Sequence, residues 1–130
     1  MKMTRFILSF LVFSLLAAYS QATEKSSDEK KNLEMPDKVK AVVEKSCFGC
    51  HNTDSRNEDA KEELDFKTLN DLKAFKQIGT LRDIAEVLEE DEMPPKKFGE
   101  KYPERIPTKE EEKLLSDWVK KEAKRLIENQ

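Results

Sequence analysis

Both cysteines and the single histidine of this 130-residue chain fall within one pentapeptide, Cys47-Phe48-Gly49-Cys50-His51. This C-x-x-C-H pattern is typical of covalent haem attachment. Two thiols three positions apart at a helix end can each reach one vinyl group of the same porphyrin, and the imidazole that follows can meet the iron. We therefore predict one haem c, attached through Cys47 and Cys50, with His51 as the proximal iron ligand.

The first 22 residues predict a signal peptide. Two basic residues precede an apolar run over residues 6–18 that is too short to span a bilayer comfortably, and Ser20 and Ala22 are the small residues that signal peptidase needs. We expect cleavage after Ala22, a periplasmic or secreted protein and no stable membrane insertion; an uncleaved N-terminal anchor is the alternative. Removing residues 1–22 changes the net charge from −3 to −5, which argues against nucleic acid and anionic membranes as partners.

Three other kinds of site use two closely spaced cysteines. A thioredoxin-like redox site needs a strand before a helix, and no stretch alternates with strand periodicity for long enough. A zinc site needs four ligands, so a carboxylate would have to join the two cysteines and the histidine. A disulfide would close a loop too small to stabilise much. The export signal favours haem c over these alternatives, because haem is attached outside the cytoplasm.

Met93 is the predicted distal iron ligand. The chain has no second histidine, and the predicted mature chain has two methionines, Met35 and Met93. Pro94 disfavours a helical backbone at Met93, and Pro94 and Pro95 stiffen the segment, so a thioether could be presented at low entropic cost. A thioether suits ferrous iron and raises the reduction potential relative to a second histidine. Alternatively Met93 is a core residue, and Lys96 or an open distal site takes its place.

The elements that must position these residues are all predicted to be helices. Residues 23–35 are charged, lack apolar periodicity and predict a flexible linker. Valines at helical spacing predict an amphipathic helix over residues 36–47, which brings the cysteines to its C-terminal end. Residues 52–63 are polar and acidic and predict a loop or a short exposed helix.

Two further helices are predicted before the Met-Pro segment. Apolar residues recur every three positions from Phe66 to Phe75 and predict a second helix that ends at Gly79 as its C-cap. Thr80 and Asp83 form a capping-box pattern for a third helix, which the prolines stop after Met93.

A proline-rich segment and a last helix complete the chain. Residues 92–107 contain four prolines without periodicity and predict a structured loop. Thr108 and Glu111 form a capping box for a long amphipathic helix that contains Trp118. The prediction is an all-α domain over residues 36–130, with about four helices around one covalently bound haem.

The order of these motifs resembles the small haem-binding domain of bacterial c-type cytochromes. That family has a C-x-x-C-H segment, an E-L-x-F element, an E-M-P segment and a closing helix with a tryptophan; here they are residues 47–51, 63–66, 92–94 and Trp118. The resemblance covers about residues 44–120. It implies a cytochrome c-like fold in which the first and last helices pack together beside the haem, with the ligand roles given above.

We expect a soluble electron carrier that docks with redox partner proteins. Nothing in the sequence supplies a general base or a second cofactor, so no enzymatic activity is predicted for this chain alone. Two alternatives remain: a haem-based sensor or ligand-binding module with an open or displaceable distal site, and a haem subunit of a larger oxidoreductase. The sequence does not indicate an oligomeric state.

Overall fold

A computed structural model describes residues 32–129 of the chain. Five α-helices are present in this part: α1 Asp37–Ser46, α2 Glu58–Glu63, α3 Ala74–Glu89, α4 Lys96–Lys101 and α5 Lys109–Glu128. Short 3-10 turns lie at Leu69–Asp71 and Pro103–Arg105, and the described residues contain no strand, which confirms the predicted all-α class. None of these helices is long and apolar enough to cross a membrane. The predicted signal peptide, residues 1–22, lies outside the described residues.

The core lies where α5 packs against α1 and α3. Leu81 of α3 and Val119 and Leu126 of α5 are fully buried, and the valines predicted for α1 face the same core. Burying one such aliphatic side chain stabilises the fold by about 1.5–3 kcal/mol. The first and last helices are in contact, as the resemblance to small cytochromes implies.

The predicted capping box at the start of α5 is confirmed. The Thr108 hydroxyl accepts a hydrogen bond from the Glu111 N–H at 3.2 Å, and the Glu111 carboxylate accepts one from the Thr108 N–H at 2.7 Å. The same carboxylate forms an ion pair with Lys45, near the end of α1. Glu111 therefore ties the start of the last helix to the end of the first.

The chain is packed earlier than Pro36, where we expected order to begin. Leu33 is buried, and its N–H donates to the Asn70 side-chain oxygen at 2.7 Å. The Trp118 indole N–H donates to the Glu34 carbonyl at 2.9 Å. Residues 32–35, predicted as the end of the linker, therefore lie against the helices because an apolar side chain and a buried indole each gain a partner there. Residues 23–31 lie outside the described part.

A single helix, α3, replaces the two helices predicted between residues 66 and 93. It begins at Ala74 and continues through Gly79. The predicted C-cap at Gly79 and the capping box at Thr80 and Asp83 are wrong, because all three lie inside the helix. An interior glycine costs only about 1 kcal/mol relative to alanine, and the packing of α3 on α5 outweighs that cost.

The apolar spacing that led to this error does not mark one helix face. Leu69 lies in a 3-10 turn, and Phe75 is on the outside of α3, with 60% of its surface exposed. The segment predicted as a loop over residues 92–107 contains α4 and the second 3-10 turn. Pro95 is the N-cap of α4, where its missing N–H costs nothing. A helix of six residues is too short to show periodicity.

Candidate functional site

The predicted haem-attachment segment, residues 47–51, follows directly on the C-terminal end of α1. The N–H groups of Cys47 and Phe48 both donate to the Val43 carbonyl, at 2.9 and 2.8 Å. The N–H groups of Cys50 and His51 then both donate to the Cys47 carbonyl, at 3.1 Å each. The segment is thus a hydrogen-bonded turn that continues from the helix, which fixes both cysteines and the histidine relative to α1.

The His51 imidazole is oriented by a backbone carbonyl. Its Nδ1 lies 2.7 Å from the Ala60 carbonyl oxygen. A carbonyl only accepts hydrogen bonds, so Nδ1 carries a proton, and in the neutral imidazole Nε2 then has the lone pair with which a histidine binds a metal. Such a second hydrogen bond is the usual way to orient a ligating histidine.

The short polar helix α2 therefore has a role that the sequence did not reveal. Ala60 lies in α2, whose N-cap is Asn57; the Asn57 side-chain oxygen accepts from the Ala60 N–H at 3.2 Å. None of the α2 residues is buried. The prediction of a loop or short exposed helix over residues 52–63 is confirmed, but the contact with His51 depends on a carbonyl, which leaves no trace in a side-chain pattern.

Two cavities bring the predicted site residues together. Their volumes are about 60 and 330 Å³. Both are lined by Cys47, His51, Leu88, Met93 and Leu115. Cys50 lines the smaller one as well. Side chains from the end of α1, from α3 and from α5 thus surround one mainly apolar space between the attachment segment and the Met-Pro segment.

Met93 is held in the wall of these cavities by the way in which α3 ends. Asp91 has a left-handed backbone with a φ of 52°, its N–H points to the Leu88 carbonyl at 3.4 Å, and the Glu92 N–H donates to the Val87 carbonyl at 3.0 Å. This is the Schellman pattern of helix termination. The Met93 N–H also points to the Val87 carbonyl, at 3.3 Å. The backbone on the N-terminal side of Met93 is therefore fixed to the last turn of α3.

The Cys47 thiol is neutral in this environment. Burial raises its pKa to about 11, and the nearby Arg105 guanidinium opposes that rise, while Cys50 adds to it. Cys47 and Cys50 are not joined in a disulfide. A protonated thiol suits an apolar cavity wall, because an unpaired thiolate would be costly to bury there.

The Ser46 hydroxyl lies in the wall of the smaller cavity. It is buried and has no hydrogen-bond partner. Because buried polar atoms in native proteins are almost always paired, this one fits a wall that faces a bound group. The donor set also fits haem: a neutral imidazole nitrogen, two thiols at thioether spacing, a thioether and apolar walls. Among residues 32–129 there is no cluster of three His, Cys, Asp or Glu side chains able to hold a metal ion, which the zinc alternative requires.

A family model described as a haem-binding domain matches residues 54–121, just over half of the 130-residue chain. The matched region contains Met93 and Trp118 and begins three residues after His51. No curated protein and no solved structure matches the chain.

Proposed function

Because the chain belongs to the family of haem-binding domains, we propose that it is an exported monohaem c-type cytochrome that carries electrons. The observation that supports this most strongly is that Cys47, His51 and Met93 line both cavities and that Cys50 lines the smaller one. The haem supplies an iron that alternates between the ferrous and ferric states. The periplasmic or secreted location rests on the predicted signal peptide alone.

Each of the four residues has a separate task in this proposal. Cys47 and Cys50 hold the haem through thioether bonds, and His51 binds the iron through Nε2, which its hydrogen bond to Ala60 leaves free. Met93 supplies the distal sulfur. The apolar walls exclude water, which disfavours the more highly charged oxidised state. The chain needs no substrate and performs no catalysis by itself; redox proteins are its partners.

Covalent attachment is tested by producing the full chain in a host with export and cytochrome maturation. We expect haem to remain with the polypeptide after denaturing electrophoresis. In the Cys50→Ala variant one thioether is lost, and the haemochrome spectrum shifts toward that of a haem with one free vinyl group. Haem that leaves the denatured wild-type protein would refute the c-type assignment while leaving non-covalent haem binding intact.

The role of Met93 separates an electron carrier from a ligand-binding protein. We expect the ferric protein to show the weak near-infrared band of a methionine–iron bond, and Met93→Ala to lose it and to have a lower reduction potential. Met35→Ala is the matched control, because Met35 packs against the core and does not line either cavity.

The ligand-binding alternative requires that a small ligand can displace Met93 from the iron. Binding of carbon monoxide to the untreated ferrous wild-type protein, as tight as to Met93→Ala, would support this alternative and refute the carrier proposal.

A further inference from the structure

We infer that Arg105 is a positioning residue, which holds the attachment segment in place through contacts with its backbone. Its positive charge, which no carboxylate pairs with, lies beside Cys47 and raises the reduction potential of the haem. The inference rests on the proposed function. Neither the motifs nor the family match assign a role to Arg105, which lies in the 3-10 turn between α4 and α5.

Arg105 first closes the end of α1. Its Nε–H donates to the Lys45 carbonyl at 3.0 Å. The last four carbonyls of an α-helix have no partner within the helix, and a cation near them interacts favourably with the helix dipole. The guanidinium is therefore bound to the residue two positions before Cys47.

The space for this side chain depends on Gly49. A Cβ atom at position 49 would lie 2.5 Å from Nη2 of Arg105, closer than a Cβ atom approaches a heavy atom to which it is not bonded. Any larger residue at position 49 would therefore require the guanidinium, the far end of the Arg105 side chain, to move. The two residues together hold the turn between the cysteines against the 3-10 turn.

Two aromatic rings hold the guanidinium in place. Its central carbon lies 5.2 Å from the Phe98 ring centroid and 5.8 Å from that of Tyr102. Both distances fall within the range of cation–π attraction. Phe98 also lines the smaller cavity. Arg105 thus packs against a residue of the cavity wall, and its side chain does not move freely on the surface.

The charge of Arg105 is not cancelled by a carboxylate. Within residues 32–129, its neighbour Lys45 is paired with Glu111, whereas no acidic side chain forms an ion pair with Arg105. The guanidinium is close enough to Cys47 to lower the pKa of that thiol. A fixed positive charge at the segment that holds the haem disfavours the oxidised form, which carries one more positive charge than the reduced form. The expected effect is a higher reduction potential.

The test compares reduction potentials of purified holoproteins by spectroelectrochemistry. Arg105→Gln is expected to have a clearly lower potential than the wild type, and Arg105→Lys, which keeps the charge, a value nearer to the wild type. Arg82→Gln is the matched control, because it removes the same charge from an exposed position on α3 that lines a separate cavity with Lys120 and Lys124. Equal potentials for Arg105→Gln and Arg82→Gln would overturn the inference.

Gly49→Ala tests the same arrangement without changing any charge. The added methyl group must displace the guanidinium, so the potential should fall, and the Cys50 and His51 amides should exchange hydrogen faster. An unchanged reduction potential together with unchanged hydrogen exchange would also overturn the inference. If Arg105→Gln does not load haem, the Gly49→Ala variant serves as the test in its place. Failure of the proposed function is seen separately, as the absence of covalent haem in the wild type.

Discussion

Asp91 is the only non-glycine residue with a positive φ among residues 32–129. Its φ of 52° is in the left-handed region, which costs an L-residue about 1–2 kcal/mol, whereas glycine adopts it freely. The ion pair with Lys109 is fully exposed and offsets little of this cost. We predict that Asp91→Gly increases the free energy of unfolding by about 0.5–1 kcal/mol, measured by denaturant unfolding of the holoprotein.

Glu90→Gly is the control for this prediction. Glu90 is the neighbouring C-cap residue, with an ordinary φ of −87°, so a glycine there gains nothing and adds entropy to the unfolded chain. We expect it to be neutral or destabilising. If Asp91→Gly were as destabilising as Glu90→Gly, the left-handed conformation of Asp91 would not be the source of strain.

The residues of the candidate site could be predicted from the sequence only where the pattern is local. Cys47, Cys50 and His51 are recognisable because their chemistry depends on a fixed spacing within five residues. Arg105 lies 60 positions from the carbonyl that it binds, and Ala60 contributes a backbone oxygen. Neither contact has a sequence signal, because it arises from the packing of separate elements.

At the scale of elements, Gly79 weakens α3 without an evident structural reason. It lies in the middle of the helix, and a Cβ atom there would meet nothing within 4 Å. Alanine is favoured over glycine inside helices by about 1 kcal/mol. We predict that Gly79→Ala increases the free energy of unfolding by about 0.5–1 kcal/mol, measured by thermal and denaturant unfolding.

Gly99 in α4 provides the contrasting case. A Cβ atom there would lie 3.0 Å from Cδ1 of Ile106. The cost of displacing that side chain offsets part of the stabilisation that alanine gives through its higher helix propensity. Gly99→Ala should therefore stabilise less than Gly79→Ala, or destabilise. An equal increase in the free energy of unfolding for both variants would show that helix propensity alone determines the effect of the substitution.

Helices with a clear start or a long apolar face were predictable, whereas the bounds of α3 and the existence of α4 were not. The first helix and α5 follow from Val spacing and from the Thr108–Glu111 capping box, which are local signals. Gly79 is also a local signal, but the prediction that a helix ends there is wrong. The packing of the sixteen-residue helix α3 on α5 outweighs the cost of an interior glycine. Helix α4 was missed because its six residues begin after two prolines. Tertiary contacts determine whether such segments form a helix and where the helix ends.

At the scale of the whole molecule, Glu111 joins the first and last helices, and its ionisation makes their association pH-dependent. Its hydrogen bonds with the Lys45 ammonium and the Thr108 N–H hold the pKa of its carboxyl below the ordinary value of 4.5. A carboxyl with a lowered pKa in the folded state stabilises the fold above 4.5, and this contribution is lost as the pH falls through the folded-state pKa. Acid should therefore loosen the contact between α1 and α5.

We predict that Glu111→Gln lowers the free energy of unfolding at pH 7 by about 0.5–1 kcal/mol, because the ion pair is partly exposed and its contribution is screened. Below pH 4.5 the wild-type value should fall toward that of the variant, so that the two curves converge in acid. Denaturant unfolding followed by circular dichroism between pH 3 and 7 measures this. Glu100→Gln removes the same charge from the exposed surface of α4 and should leave the shape of the curve unchanged. Parallel wild-type and Glu111→Gln curves across this range would show that the carboxylate does not couple the first helix to the last.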